Sequence, residues 1–334
     1  MATETDFSSI MARLADTGRP VPMASLYHLS DLKREDQAAF EALWHTMAAE
    51  RRLHILQNLH EIAEANFEVV FENVFRLGLD DESPEVRALA IKSLWESEDE
   101  TLIAPLLETL QHDPDGLVRA SAASALGRFV YLGELEEIPA VSARKVEDAL
   151  LDVIMGEDEL EVRRRALEAV AYANRPEVEG LIDEAYESPE DSLRLSAVFA
   201  MGRSADDERW SDIVRAELEN SDPEMRFEAA RAAGELELQL AGPELADLAT
   251  DVDTQVREAA IWSLGQIGGD FARQTLTALL EAAEDEDDQE FIEEALANLD
   301  YTDEIQSFAL FDIGPGGNAL DLGDLDDEID EDLE

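Results

Sequence analysis

Five histidines, His28, His45, His54, His60 and His112, are the residues of this sequence best suited to metal or proton chemistry. No two of them stand three or four positions apart, so no helix could turn a pair of imidazoles toward one metal ion. His60–Glu61 is the sole His-Glu dipeptide. Cysteine is absent, which removes disulfides, thiolate nucleophiles and cysteine-ligated metals. The acidic run EDEDD at 284–288 has carboxylates, but neither the spaced oxygen ligands nor the glycine of a calcium loop. It reads as a solvated face. No glycine-rich phosphate loop, nucleophile elbow or catalytic dyad is visible. The sequence therefore nominates no catalytic residue, no cofactor and no metal ligand, and the chain is expected not to be an enzyme.

What does recur is a guanidinium. Arg87, Arg119, Arg163, Arg194, Arg226 and Arg257 follow one another at separations of 32, 44, 31, 32 and 31 residues, each directly behind an apolar residue. Such a period means a stacked helical array, and arrays work mostly as binding surfaces. Seven segments align on this register, the seventh with Ile292 in place of arginine. One column is alanine throughout: Ala90, Ala122, Ala166, Ala197, Ala229, Ala260 and Ala295. Three residues on, the column holds Ser93, Ala125, Ala169, Ala200, Ala232, Ser263 and Asn298. Small residues at this spacing on one helix face let another helix come close. Apolar stretches with helical spacing lie between the segments, such as TLIAPLLETL from Thr101 and VEDALLDVIM from Val146. Each repeat is thus a helical hairpin that needs neighbours to bury its apolar side. Gly127, Gly202, Gly234 and Gly265 are expected to end their helices in left-handed caps. The Ser/Asp–Pro pairs at 83–84, 113–114, 188–189 and 222–223 are expected to start helices.

The segments DGLVRASAASALG (Asp115 to Gly127) and DTQVREAAIWSLG (Asp253 to Gly265) resemble the HEAT repeat in its short bacterial, phycobilin-lyase-type form, over roughly residues 80–300. The resemblance implies an all-α, HEAT/armadillo-like α-solenoid of stacked hairpins. It implies that the arginines, Arg163 included, form a structural ladder onto acidic or carbonyl groups of the adjacent turn. Some phycobilin lyases are built from this repeat, so a lyase or its accessory subunit is an alternative reading. The iron-dependent deoxyhypusine hydroxylase is also a HEAT-repeat protein, but that family uses several His-Glu pairs as ligands, and a single pair cannot build its site.

Residues 1–36 read as an N-terminal arm or cap, residues 37–300 as the solenoid, and 301–334 as an acidic, disordered tail. Arg52 lies 35 residues before Arg87 and marks a degenerate first repeat. The 44-residue spacing points to an insertion near FVYLGELEEIPAVSARKVE, from Phe129, read as a longer first helix with a tolerated loop. Formal net charge is −55, from 80 acidic and 25 basic residues. That field opposes direct binding to nucleic acid and would attract a basic partner, although salt adaptation would account for the acidity equally well. An acidic, chaperone-like binder of basic proteins is a further alternative. No leader and no membrane-spanning run is visible, so a cytoplasmic monomer is expected.

In such repeats the second helix of each pair lines the concave side. The position six residues after the apolar residue preceding each arginine should face outward there. It reads Lys92, Ser124, Glu168, Phe199, Arg231, Trp262 and Ala297. Phe227 stands four before Arg231. Phe199, Phe227, Arg231 and Trp262 are therefore the candidate anchors for another protein. Arg163, Arg164 and Arg165 form the strongest basic spot, read as neutralised by Glu157, Asp158 and Glu161.

Overall fold

Alanine, leucine, glutamate and arginine dominate the repeats, and all four favour helix. The computed structural model describes residues 7–312, with side chains through Tyr301, and among these no strand occurs. The chain opens with α1 (Phe7–Ala15), α2 (Met23–Leu26), α3 (Arg34–Trp44) and α4 (Ala49–Ala65). Hairpins follow: α5 (Glu72–Leu77) with α6 (Pro84–Lys92), α7 (Ile103–His112) with α8 (Gly116–Glu134), α9 (Ala140–Met155) with α10 (Leu160–Val170), and α11 (Pro176–Tyr186) with α12 (Asp191–Arg203). A first compact unit ends at Asp206. The second begins at Asp207 and pairs α13 (Asp207–Glu217) with α14 (Pro223–Glu235), α15 (Gly242–Leu248) with α16 (Thr254–Ile267), and α17 (Gly269–Ala282) with α18 (Glu286–Asp312). In the first unit the second helices α4, α6, α8, α10 and α12 lie side by side; in the second unit α14, α16 and α18 do. This is the all-α solenoid architecture that the repeat implies.

The alanine column forms the seams. Ala90, Ala122, Ala166, Ala197, Ala229 and Ala260 have no exposed surface, and Ala295 is nearly as buried. A larger side chain at any of them would push neighbouring helices apart. The next column down adds polar stitches where it is not alanine. Ser263 Oγ donates to the Ala230 carbonyl on α14 at 2.7 Å, and Asn298 Nδ2 donates to the Gly265 carbonyl on α16 at 3.1 Å.

The repeated glycines differ from expectation. Gly127, Gly202, Gly234 and Gly265 lie inside their helices, and none has positive φ. At Gly127, Gly234 and Gly265 the role is close approach at the seam: a Cβ on Gly127 would meet the Ala169 Cα at 3.1 Å, one on Gly234 the Ser263 Oγ at 2.7 Å, and one on Gly265 the Ala295 carbonyl oxygen at 2.7 Å. The left-handed positions come later, at Glu136, Ala205, Glu237 and Gly268, with φ of 59°, 53°, 51° and 65°. After α8, Glu137 N–H donates to the Leu132 carbonyl at 2.9 Å; after α14, Leu238 N–H does the same to Ala233 at 2.9 Å. These are the long bonds of a Schellman ending.

The helix starts also differ in part. Pro84 and Pro223 occupy first turns, with Asp222 accepting from Glu224 N–H at 3.1 Å. The pairs at 113–114 and 188–189 fall short of the helices. Asp115, not Asp113, caps α8, because Asp113 is engaged by arginine as described below. The extra residues after Phe129 are absorbed by two long helices, α8 and α9, leaving only 135–139 between them. Phe129, Val130 and Leu132 are buried, so the insertion is core as well as connector.

In the N-terminal arm, Ile10 and Leu14 are buried. Arg51 on α4 ties the arm down by donating to the carbonyls of Leu14 (2.8 Å), Arg19 (2.9 Å) and Arg13 (3.3 Å). Helix α18 continues to Asp312, into the segment that composition assigns to the tail. The remainder of that tail, 313–334, and residues 1–6 of the arm lie outside the described residues. Among the described residues no helix is long and apolar enough to cross a membrane.

Candidate functional site

Where the loop residue six before an arginine is aspartate, as at Asp81, Asp113 and Asp251, the ladder uses that residue twice. Arg87 donates through NH1 to the Asp81 carbonyl at 2.7 Å, and through Nε and NH2 to the Asp113 carboxylate at 2.7 and 2.9 Å. The Asp113 carbonyl then accepts Arg119 NH1 at 2.8 Å, and Arg119 reaches Asp158 at 2.6 and 3.1 Å. The Asp81 carboxylate in turn holds Arg52, with NH2 at 2.7 Å and Nε 2.6 Å from the other oxygen. Asp81 and Asp113 thus each take the previous repeat's arginine on the side chain and their own repeat's arginine on the backbone, while Asp158 takes Arg119 on its side chain and Arg163 goes to the Ile154 carbonyl instead. In the second unit Arg226 donates to the Asn220 carbonyl and bidentately to Asp251, whose carbonyl receives Arg257 at 2.8 Å.

Three members reach no carboxylate in a neighbouring repeat: Arg163, Arg194 and Arg257, the last held by the Asp251 and Val252 carbonyls and by Thr254 Oγ1. Arg163 donates to the Ile154 carbonyl at 3.0 Å, because the equivalent loop residue of the following repeat is Ser188. Arg194 bonds the Ser188 carbonyl at 3.3 Å and Asp191 of its own turn at 2.5 Å. The basic spot beside Arg163 is neutralised by one of the three expected acids, Glu161, together with Glu168. Arg164 and Arg165 both reach Glu161, and Arg165 also reaches Glu168 at 2.8 Å, while Asp158 serves Arg119.

These pairs move titration in the expected directions. The bond from Arg226 is the largest influence on Asp251, and with the Asp253 N–H it outweighs burial to hold that carboxyl below the usual carboxylate range. Asp158 is lowered likewise, chiefly by Arg119. For Asp113 burial is the largest single influence and opposes ionisation, but Arg87, the Asp115 N–H and Arg119 together prevail and lower it. A carboxyl lowered in the folded state adds stability above its unfolded pKa and loses it as pH falls through the folded value. Asp251→Asn is therefore expected to lower the thermal midpoint at pH 7 and 5, with the gap to wild type closing below about pH 4. Parallel thermal scans check this; a gap independent of pH down to 3 would contradict it.

The solvent side of the second helices carries aromatic and arginine side chains. In the first unit Arg203 lies 3.5 Å over the centroid of Phe199, and its Nε donates to Tyr172 Oη at 2.9 Å. Tyr172 meets Tyr131 edge-on at 5.2 Å, and Arg128 lies 5.5 Å from the Tyr131 ring. A continuous strip thus crosses α8, the end of α10, and α12. In the second unit Arg231 stands 5.9 Å from the Phe227 ring and pairs with Glu235 at 3.2 Å. Trp262 is 36% exposed and spans from α16 to α14, where its ring fills the space beside Gly234. Of the four anticipated residues, Phe199 belongs to the first unit, and Phe227, Arg231 and Trp262 to the second. Sequence reasoning missed Arg128, Tyr131, Tyr172 and Arg203. Arg128, Tyr172 and Arg203 stand nine residues after their repeat arginines, one turn beyond the outward column, so reading that second column would have found them.

Among the described residues nothing else gathers reactive groups. No cluster of three metal-ligating side chains occurs among the described residues. His60 lies in the α4–α6 seam, with Nδ1 3.3 Å from Ser93 Oγ. Its place, eight after Arg52, is the one glycine takes in later repeats. Two open depressions of ≈ 400 and ≈ 410 Å³ lie on first helices, one beside Phe271 and Leu279, the other beside Gln111 and Arg144. Neither brings a nucleophile to a base.

A family model of HEAT repeats matches residues 72–147, 178–259 and 211–300. No curated protein matches. Similar solved structures include the complex of CpcE and CpcF of phycocyanin lyase from Nostoc sp. PCC7120, at 18% identity over 69% of this chain and 95% of that one, with a TM-score of 0.45. Others are YibA of Escherichia coli, at 16% over 83% and 96% with a TM-score of 0.46, and human deoxyhypusine hydroxylase, at 17% over 88% and 96% with a TM-score of 0.34.

Proposed function

The chain belongs to the family of HEAT-repeat proteins, and from that premise we propose that it is a non-enzymatic scaffold docking another protein on the solvent side of its second helices. One observation carries this reading. In a chain with only 6% aromatic residues, Phe199, Tyr172, Tyr131, Phe227 and Trp262 stand exposed or half-exposed on that side, several stacked with arginine. Flat, amphipathic side chains of this kind anchor interfaces at low entropic cost. Stacking on arginine keeps the rings in place, so they meet a partner already ordered.

The test is affinity capture from the source cells with wild type and with Phe199→Ala/Phe227→Ala/Trp262→Ala, followed by quantitative mass spectrometry. A specific partner should fall about tenfold or more with the triple variant, as expected for loss of interface anchors. Unchanged recovery by a variant that keeps its helical circular dichroism would remove these residues as anchors.

A further inference from the structure

The solvent side of the second helices, taken unit by unit, differs in charge. In the first unit it holds Arg128, Arg164, Arg165 and Arg203, each engaged by a carboxylate or an aromatic ring. In the second unit it carries carboxylates that the fold leaves uncompensated. Glu258 on α16 and Glu293 and Glu294 on α18 are exposed, and none has an ion pair or hydrogen bond among the described residues. The guanidinium on this face, Arg231, is taken by Glu235. Trp262 stands one turn after Glu258 on α16, 36% exposed, and Tyr301 lies on the same helix as Glu293 and Glu294, at 65% exposure. A part-exposed π-face one helical turn from the unpaired Glu258, on a helix packed against the one that carries Glu293 and Glu294, favours a cation twice, through the ring quadrupole and through charge. The net charge of −55 adds a long-range attraction of the same sign.

We propose that the second-helix face of the C-terminal unit receives a cationic segment of the partner protein, with lysine or arginine side chains over Trp262 and their charge shared by Glu258, Glu293 and Glu294. This deepens the scaffold reading and rests on it. Aliphatic stems of such side chains would cover the indole while their heads meet the carboxylates. Binding would weaken with salt, because these carboxylates are exposed.

Decalysine serves as the first probe, in calorimetric titrations of the full chain. Trp262→Leu and Glu258→Gln/Glu293→Gln/Glu294→Gln are each expected to weaken binding about tenfold. Glu35→Gln/Glu41→Gln/Glu50→Gln makes the same charge change on exposed positions of the other unit, and should weaken it less than about twofold. Equal losses in the two triple variants would overturn the proposal, because the field alone would then explain binding. A displayed library of random 15-residue peptides separates this proposal from the scaffold reading. Selected peptides rich in lysine or arginine and lost with Trp262→Leu support it. Peptides that need Trp262 but lack cations overturn the cationic partner and leave the docking face standing. If no selected peptide depends on Trp262, both fall for this unit. Far-UV circular dichroism confirms that each variant is folded.

Discussion

Arg52→Met is expected to destabilise the N-terminal unit by about 3–5 kcal/mol, the cost of stripping one partner from a buried ion pair. Arg52 and Asp81 are nearly inaccessible, at 5% and 3% side-chain exposure. The variant would leave the Asp81 carboxylate buried, with the Ser83 N–H at 2.9 Å as its remaining donor. It would also free the Met47 carbonyl, which Arg52 NH1 holds. Arg163→Met is the comparison within the same unit. It removes a bond to the Ile154 carbonyl and strands no carboxylate, so about 1 kcal/mol is expected. Urea unfolding followed by circular dichroism distinguishes them, and equal losses would refute the ladder as the source of the difference. In the double variant Arg52→Met/Asp81→Asn the loss should be smaller than the sum of the single losses, because no unpaired charge remains.

The second large effect concerns glycine, with opposite signs at two sites. Alanine is the better helix former, by about 1 kcal/mol. At Gly180, within α11, an added Cβ meets nothing within 4 Å. Gly180→Ala should therefore stabilise by about 0.5–1 kcal/mol. At Gly265 the Cβ would stand 2.7 Å from the Ala295 carbonyl oxygen and 3.2 Å from its Cα. Backbone cannot swing aside as a side chain can, so α16 and α18 must separate along the seam. Gly265→Ala should cost about 1–3 kcal/mol despite its propensity gain. Thermal scans of both variants decide the matter. A stabilised Gly265→Ala would mean that the seam is looser than the Gly265–Ala295 contact implies, and that glycine is there for some other reason.

These two cases show where reading the sequence stopped. The alanine column was legible because a helix repeats every 3.6 residues, and small residues at fixed positions in seven copies have one economical explanation, close packing. The glycines followed the same logic but were assigned to helix ends, since glycine is the usual residue of a left-handed cap. Here Glu136, Ala205 and Glu237 hold the left-handed turns instead, and no local pattern announces that a neighbouring helix needs the space beside Gly265. Of the outward column, Lys92, Ser124, Trp262 and Ala297 are exposed, whereas Glu168, Phe199 and Arg231 are half-buried against their neighbours. The strip through Tyr131, Tyr172 and Arg203 went unseen. It joins three helices more than thirty residues apart in sequence, at heights set by how far each helix runs past its repeat.

The sequence by itself determined the helices, their pairing into hairpins, the small-residue seams and the arginine register, because each depends on spacing within one or two turns. It also held part of the pattern of the ladder, in whether an aspartate stands six before the next arginine, as Asp81, Asp113 and Asp251 do and Ser188 and Asn220 do not. Only the tertiary structure decided which carboxylate each guanidinium takes, that Asp158 rather than Glu157 receives Arg119, that the chain divides at Asp206, and that Glu258, Glu293 and Glu294 have no cation partner among the described residues. Those outcomes depend on the offset between helices of successive repeats. That offset is set by side-chain volume at the seams rather than by any local preference of the backbone.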